Sequence, residues 1–129
     1  MFEFCLSRIK AIRYALEGWL HVLHTQKNSW VHAFASLAVI LMGFWLHISP
    51  QDWSILILTI ALVWMAEFIN TAIETMTDLI SPEKNQLAKI SKDVSAAAVL
   101  IAAGASIIVG LLILGPPLLG VIRNLIRGF

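Results

Sequence analysis

Three nearly unbroken apolar stretches dominate the chain, about Val31 to Ile48, Trp53 to Ile73 and Val94 to Leu114. Each has the roughly 20 helical residues needed to cross a hydrocarbon layer of about 30 Å. The pattern therefore predicts transmembrane helices over 31–48, 53–73 and 94–114. Ahead of them, over residues 2–24, the period changes. Ile9, Ile12, Leu16, Trp19, Leu20 and Leu23 keep helical spacing, while Arg8, Lys10, Arg13 and Glu17 spread over the remainder. This predicts an amphipathic helix on the membrane surface, serving as a plain anchor or as a lid over a site at that interface. Thr25-Gln26-Lys27-Asn28-Ser29 is a polar break with helix-start chemistry. Ser49-Pro50-Gln51-Asp52 reads as a tight turn, and Gly115-Pro116-Pro117 as the end or kink of the third span.

Composition agrees with this outline. The chain is 59% hydrophobic and 13% charged, about half the charge of a soluble domain. With a net charge of +1, it offers no basic patch to grip a nucleic-acid backbone. Its 129 residues amount to one domain, so residues 1–129 read as a single all-α integral-membrane unit. The N-terminal stretch lacks the h-region and cleavage site of a signal peptide. Arg8, Lys10, Arg13 and Lys27 precede the first span, and Lys84, Lys89 and Lys92 lie between the second and third. The connection 47–52 has no Lys or Arg, which predicts a multi-pass protein with its N-terminus and the 75–93 loop in the cytoplasm. Arg123 and Arg127 run mildly against that rule. Single Cys5 excludes an internal disulfide and reads as a small interfacial residue. His21 and His24 have no third ligand nearby and read as interfacial rather than metal-binding. Trp45 and Trp53 fit an aromatic belt.

The second span is lopsided. Glu67, Asn70 and Glu74 fall at i, i+3 and i+7 on one helical face, and Asp78 extends it. A carboxylate in a spanning segment costs on the order of 3 kcal/mol, so the stripe reads as the active face. From Ile55 to Val63 only Thr59 is polar. Glu67 lies roughly 21 Å from Trp53 along the helix, in the cytoplasmic third of the bilayer. Polarity at one end suits a site reached from the cytosol. It argues against the through-path that a transporter or proton relay needs.

Lys89, Lys92 and Asp93 share a face at the next helix start. Lysines there oppose the helix dipole, which a bound phosphate would relieve; alternatively they snorkel to the interface. The small residues of Ser95-Ala96-Ala97-Ala98 and Ala102 to Ser106 make the third span a packing helix. Soluble nucleotide-binding loops and Cys/His clusters are absent from the sequence. What remains is two carboxylates about 10.5 Å apart along one helix, and a lysine–aspartate pair. Phosphoryl transfer needs little more: Glu67, deep in the apolar layer, to accept a proton; Glu74, nearer water, to carry Mg2+; and Lys92 to steady phosphates. The same residues would also form a structural polar cluster at an oligomer interface, in a protein without catalytic activity. Spacing alone leaves both readings open.

Glu67-Phe68-Ile69-Asn70-Thr71-Ala72-Ile73-Glu74 with Asp78, followed by Leu87-Ala88-Lys89-Ile90-Ser91-Lys92-Asp93-Val94-Ser95-Ala96-Ala97-Ala98-Val99-Leu100, resembles the signature of the prokaryotic integral-membrane diacylglycerol kinase / undecaprenol kinase family. The likeness covers nearly the whole chain and includes Lys10, Tyr14, Gly18 and the stretch from Thr25-Gln26-Lys27-Asn28 to His32. It implies a homotrimeric lipid kinase of the bacterial cytoplasmic (inner) membrane, with active sites shared between neighbouring subunits. The implied reaction transfers the γ-phosphate of MgATP to a membrane lipid alcohol, undecaprenol or diacylglycerol, in phospholipid or cell-envelope lipid metabolism. By the same resemblance Glu67 is the catalytic base with Asn70 beside it, and Glu74 holds metal and nucleotide. Lys92 and Asp93 serve the ATP phosphates, and Lys10 and Tyr14 lie near the nucleotide.

Three features depart from the pattern of the family that the chain resembles. Gln26 stands where many members carry a metal-binding glutamate; an amide oxygen can still ligate metal and nucleotide there, but contributes no charge. Lys84-Asn85 replace a common Tyr-His pair, and Ala97 a frequent glycine, which tightens packing. Ala88-Lys89-Ile90-Ser91-Lys92-Asp93 and the Pro-Pro pair look more like the undecaprenol kinase branch.

Overall fold

The structure, a computed structural model, describes residues 2–83 and 85–127, with side chains from residue 7 onward. Among these residues the chain forms four helices and no strand: α1 (Phe2–Thr25), α2 (Lys27–Trp45), α3 (Pro50–Ile80) and α4 (Gln86–Arg127). Within that range α2, α3 and α4 are long and apolar enough to cross a membrane. The side chain of Cys5, and Lys84 altogether, lie outside the described residues.

One extended residue separates α1 from α2. Gln26 has φ −101° and ψ 112° and turns the chain through a corner. Its N–H still reaches Val22 O at 2.9 Å, while its own carbonyl accepts from Ser29 N at 3.2 Å. The fully buried Ser29 hydroxyl sits 2.6 Å from Gln26 O and 3.2 Å from Val22 O, clipping the corner shut. Trp19 holds α1 against α3, with ring centroids 5.3 Å from Trp64 and 5.1 Å from Phe68.

At the opposite end α2 stops at Trp45, three residues before the predicted span does. His47 adopts φ 50°, and the amides of His47 and Ile48 return to the carbonyls of Phe44 and Gly43, both at 3.3 Å. These are the two backbone bonds of a Schellman stop. Ser49-Pro50-Gln51-Asp52, expected to be a turn, instead opens α3. Ser49 and Asp52 form a reciprocal capping box, and Pro50 occupies the first helical position, where its missing N–H costs nothing. Trp53 has a packing role beyond any place in a belt: it lies against Phe44 at 4.7 Å. A Cβ on Gly43 would meet its ring carbons at 3.0 Å and Ile48 Cδ1 at 3.1 Å.

α3 and α4 form an antiparallel hairpin and share the most extensive contact in the chain. Their connection is shorter than the expected 75–93 loop, because Thr75 to Ile80 stay helical and α4 begins at Gln86. Asn85 caps α4 by accepting from Leu87 N at 2.8 Å. Both helices outrun the membrane: 31 and 42 residues span about 46 and 63 Å, against about 30 Å of hydrocarbon. Gly115-Pro116-Pro117 does not end α4, which continues to Arg127. In a spanning helix the backbone groups freed by Pro are re-satisfied by local adjustment and neighbours.

Gly43→Val is expected to lower the unfolding midpoint of the detergent-solubilised protein, by the equivalent of about 1–3 kcal/mol of overpacking. An unchanged midpoint would show that the Trp53 ring swings aside freely.

Candidate active site

The polar stripe of α3 faces inward. Glu67 retains 2% of its surface, Asn70 7% and Thr71 5%, all within the junction of α3 with its neighbours. Thr71 donates to its own helix, to Glu67 O at 3.0 Å, and contributes no free group. The other polar side chains draw partners from elsewhere in the bundle.

Asn70 bridges α3 and α4. Its Oδ1 accepts from Ser95 Oγ at 2.7 Å, and its Nδ2 donates to Glu74 Oε1 at 3.1 Å. Gln26, at the α1–α2 corner, donates from Nε2 to Glu74 Oε2 at 3.2 Å. Both oxygens of Glu74 therefore take an amide N–H, one from a full turn back on α3 and one from 48 residues away. Glu67, two turns deeper, is approached from α2 by His32 Nε2, 3.7 Å from Glu67 Oε2. Trp64 and Phe68 flank this level, and the Trp64 indole donates to Ser36 on α2 at 3.3 Å.

Lys92 on α4 crosses to Asp78 on α3 in an ion pair at the hairpin end. A groove of about 620 Å³ opens there, lined by Asp78, Pro82, Asn85, Lys89 and Lys92. A second groove of about 600 Å³, mostly apolar, runs between α1 and α3 past Gly18, Trp19, Phe68, Ala72 and Met76.

Of the residues singled out in the sequence, Asn70, Glu74 and Gln26 are joined by hydrogen bonds, with Glu67 two turns deeper on α3. Lys92 stands at the rim and pairs with Asp78. Asp93 faces outward toward Lys89 at 4.0 Å. Lys10 and Tyr14 lie exposed on α1, and no hydrogen bond or ion pair joins them to the cluster among the described residues. His21 and His24 are exposed. Sequence reasoning gave no role to two participants. His32 was visible as a polar interruption of an apolar span, and Ser95 was read only as a small packing residue.

The donor set also bears on metal binding. Among the described residues no three His, Cys, Asp or Glu side chains group together. One carboxylate and a neighbouring amide suit Mg2+, which keeps several waters and relies on substrate phosphates instead of a protein cage. Chemically the arrangement ranks three functions along one axis: an enclosed carboxylate, a second carboxylate fixed by amides, and a cation at the water-facing rim.

The chain is similar to known proteins over most of its length. Residues 13–114 match the family described as prokaryotic diacylglycerol kinase. A diacylglycerol kinase from Synechocystis is 43% identical over 110 residues, covering 84% of this chain; the chain spans 63% of that relative's length. An undecaprenol kinase from Bacillus subtilis is 39% identical over 84% of this chain and 89% of its own. An Escherichia coli diacylglycerol kinase is 32% identical over 73% of this chain and 77% of its own. With a match from Arg13 to Leu114 that takes in the whole Glu67–Glu74 block, the chain belongs to the prokaryotic diacylglycerol kinase family.

Proposed function

We propose that the chain is a lipid kinase of the bacterial cytoplasmic membrane that transfers the γ-phosphoryl group of ATP to the hydroxyl of undecaprenol or diacylglycerol. The observation that carries this reading is the order of groups along the inward face of α3. Buried Glu67 lies deepest, amide-held Glu74 follows, and the Asp78–Lys92 pair stands at the rim. A lipid alcohol arrives from the apolar side and a nucleotide from water, so their reacting atoms meet between those levels.

In this mechanism Glu67 takes the proton of the acceptor hydroxyl as the oxygen bonds to the γ-phosphorus and the bond to ADP breaks. Asn70 keeps Glu74 oriented from the Ser95 side. Glu74 and the amide oxygen of Gln26 would hold Mg2+, which supplies neutralising charge to the phosphates. Lys92 adds a cation at the rim, with Asp93 beside it. Because Glu67 is enclosed, the acceptor reaches it only when the helix contacts around it loosen.

The protein works in this reading as a homotrimer with its N-terminus in the cytoplasm. The outward placement of Lys10 and Tyr14 fits a role at a site completed by a neighbouring subunit. Large apolar side chains exposed on α2, α3 and α4, such as Phe34, Leu58 and Leu111, supply surface for both lipid and protomer contacts.

Purified protein with MgATP is expected to phosphorylate undecaprenol, diacylglycerol or both in a side-by-side assay; no phosphate on either lipid would end the proposal. Glu67→Gln should cut turnover by about 10²- to 10⁴-fold, the usual worth of a general base, with the oligomer intact by size-exclusion chromatography. Wild-type turnover in that variant would remove the base assignment. For the metal, Glu74→Ala should raise the Mg2+ concentration giving half-maximal rate by roughly tenfold or more. Gln26→Glu should lower it, and Mg2+ titrations that leave both variants at the wild-type value would unseat this pair as ligands.

A further inference from the structure

We infer that His32 is a positioning residue for Glu67, donating its Nε2–H to the carboxylate oxygen turned away from the lipid hydroxyl. The inference rests on the kinase reading above and adds a residue to it.

His32 Nε2 is buried and has no hydrogen-bond partner among the described residues. Buried polar nitrogens are nearly always paired, and one left unpaired marks a place where something is still to be satisfied. The group it faces is Glu67 Oε2, at 3.7 Å, with the two side chains only 13% and 2% exposed. That gap is too long for a hydrogen bond. It closes with a side-chain shift of under about 1 Å, and catalytic contacts are commonly long before substrate binds and tighten afterwards.

The direction of the imidazole is set by its surroundings. The Trp64 ring stands edge-on to it at 6.4 Å and 69°. Trp64 is itself held by Ser36 through its indole N–H and by Trp19 and Phe68 through ring contacts. His32 comes from α2 and Glu67 from α3, so the contact also fixes how these helices sit at the level of the carboxylate.

A carboxylate in an apolar layer needs a donor to stay ionised and aimed. When it serves as base, one oxygen must remain free for the incoming proton, so the donor has to hold the other. His32 does this from α2, whereas the Asn70–Ser95 hydrogen bond runs into α4. The proton balance is simple. The lipid O–H bond breaks and its proton passes to Glu67, the new O–P bond forms, and the bond from phosphorus to ADP breaks. His32 keeps its own proton throughout. Without it the Glu67 carboxylate turns to other donors and misses the hydroxyl, which lowers kcat and leaves nucleotide binding alone.

The test compares His32→Leu, which keeps bulk without a donor, with His32→Gln, whose side-chain N–H falls near the position of Nε2. Both are assayed beside wild type and Glu67→Gln for kcat, KM for ATP and unfolding midpoint in the same detergent–lipid mixture. His32→Leu is expected to lose about tenfold to a hundredfold in kcat, with KM for ATP within about twofold. His32→Gln should recover to within about fivefold of wild type. If His32→Leu fails to assemble, His32→Asn replaces it, because its N–H sits at the level of Nδ1, and the same loss is expected. Wild-type kcat in the donor-free variant, or equal losses in that variant and His32→Gln, would overturn the inference. Wild-type turnover in Glu67→Gln would instead remove the base assignment beneath it, and wild-type protein that phosphorylates neither lipid would end the kinase reading, so these failures are distinguishable.

Discussion

A carboxylate carried into the apolar part of a bilayer has no water to solvate it, and every group around it is arranged under that constraint. In this chain α3 carries two carboxylates and an amide on one face, and the remaining elements are placed to meet them. α4 contributes the Ser95 hydroxyl to Asn70, the α1–α2 corner contributes the Gln26 amide to Glu74, and α2 brings His32 toward Glu67. Two helices and a corner thus converge on one stripe of α3. Breaking any donor leaves an uncompensated buried acceptor, and that penalty exceeds the modest net gain of forming the pair. The polar network therefore specifies the register of the bundle more than it stabilises it. Aromatic and aliphatic packing holds the helices at that register.

The α1–α2 corner shows how tightly fold and site are joined. A single residue, Gln26, leaves helical geometry, and the same residue sends its side chain to Glu74. The buried Ser29 hydroxyl and the Trp19–Trp64–Phe68 ring cluster keep α1 from swinging away. A surface helix held this way does more than anchor: any movement of α1 that disturbs the corner is felt at Glu74. Thr71 and Thr75, close to Glu74 in the sequence, also line the apolar groove between α1 and α3.

Much of this was legible in the residues. Apolar runs separated by polar breaks give the spanning helices, and the change of period over residues 2–24 gives α1, because each follows from local spacing. The spacing of Glu67, Asn70 and Glu74 establishes a shared face, but periodicity cannot say what that face looks toward. Only packing shows that it is turned in against α2 and α4. Helix ends were read less well for a physical reason. Apolarity reports where hydrocarbon lies, whereas the stop at Trp45 is made by backbone bonds to a left-handed His47, and the start at Pro50 by a capping box. The Pro-Pro pair does not end α4, because a helix in an apolar setting tolerates what an aqueous one does not. His32 and Ser95 act through partners 35 and 25 positions away in the chain, and no window of local sequence contains such pairs.

The amide at position 26 follows from the same constraint. In this structure Gln26 and Glu74 meet at 3.2 Å through an N–H donor, so the corner is closed by attraction before any cation arrives. A glutamate there would place two carboxylates face to face in a setting of low dielectric, and their repulsion would hold the corner open until a metal joined them. If this pair holds the metal as proposed, the glutamine would exchange one unit of ligand charge for a site assembled in advance. A cation entering there would have to displace the amide N–H from Glu74 and turn the amide oxygen inward, which would weaken its binding relative to a dicarboxylate. In return Glu74 is already oriented by Gln26 on one oxygen and Asn70 on the other, and less ordering remains to be done when nucleotide and metal bind.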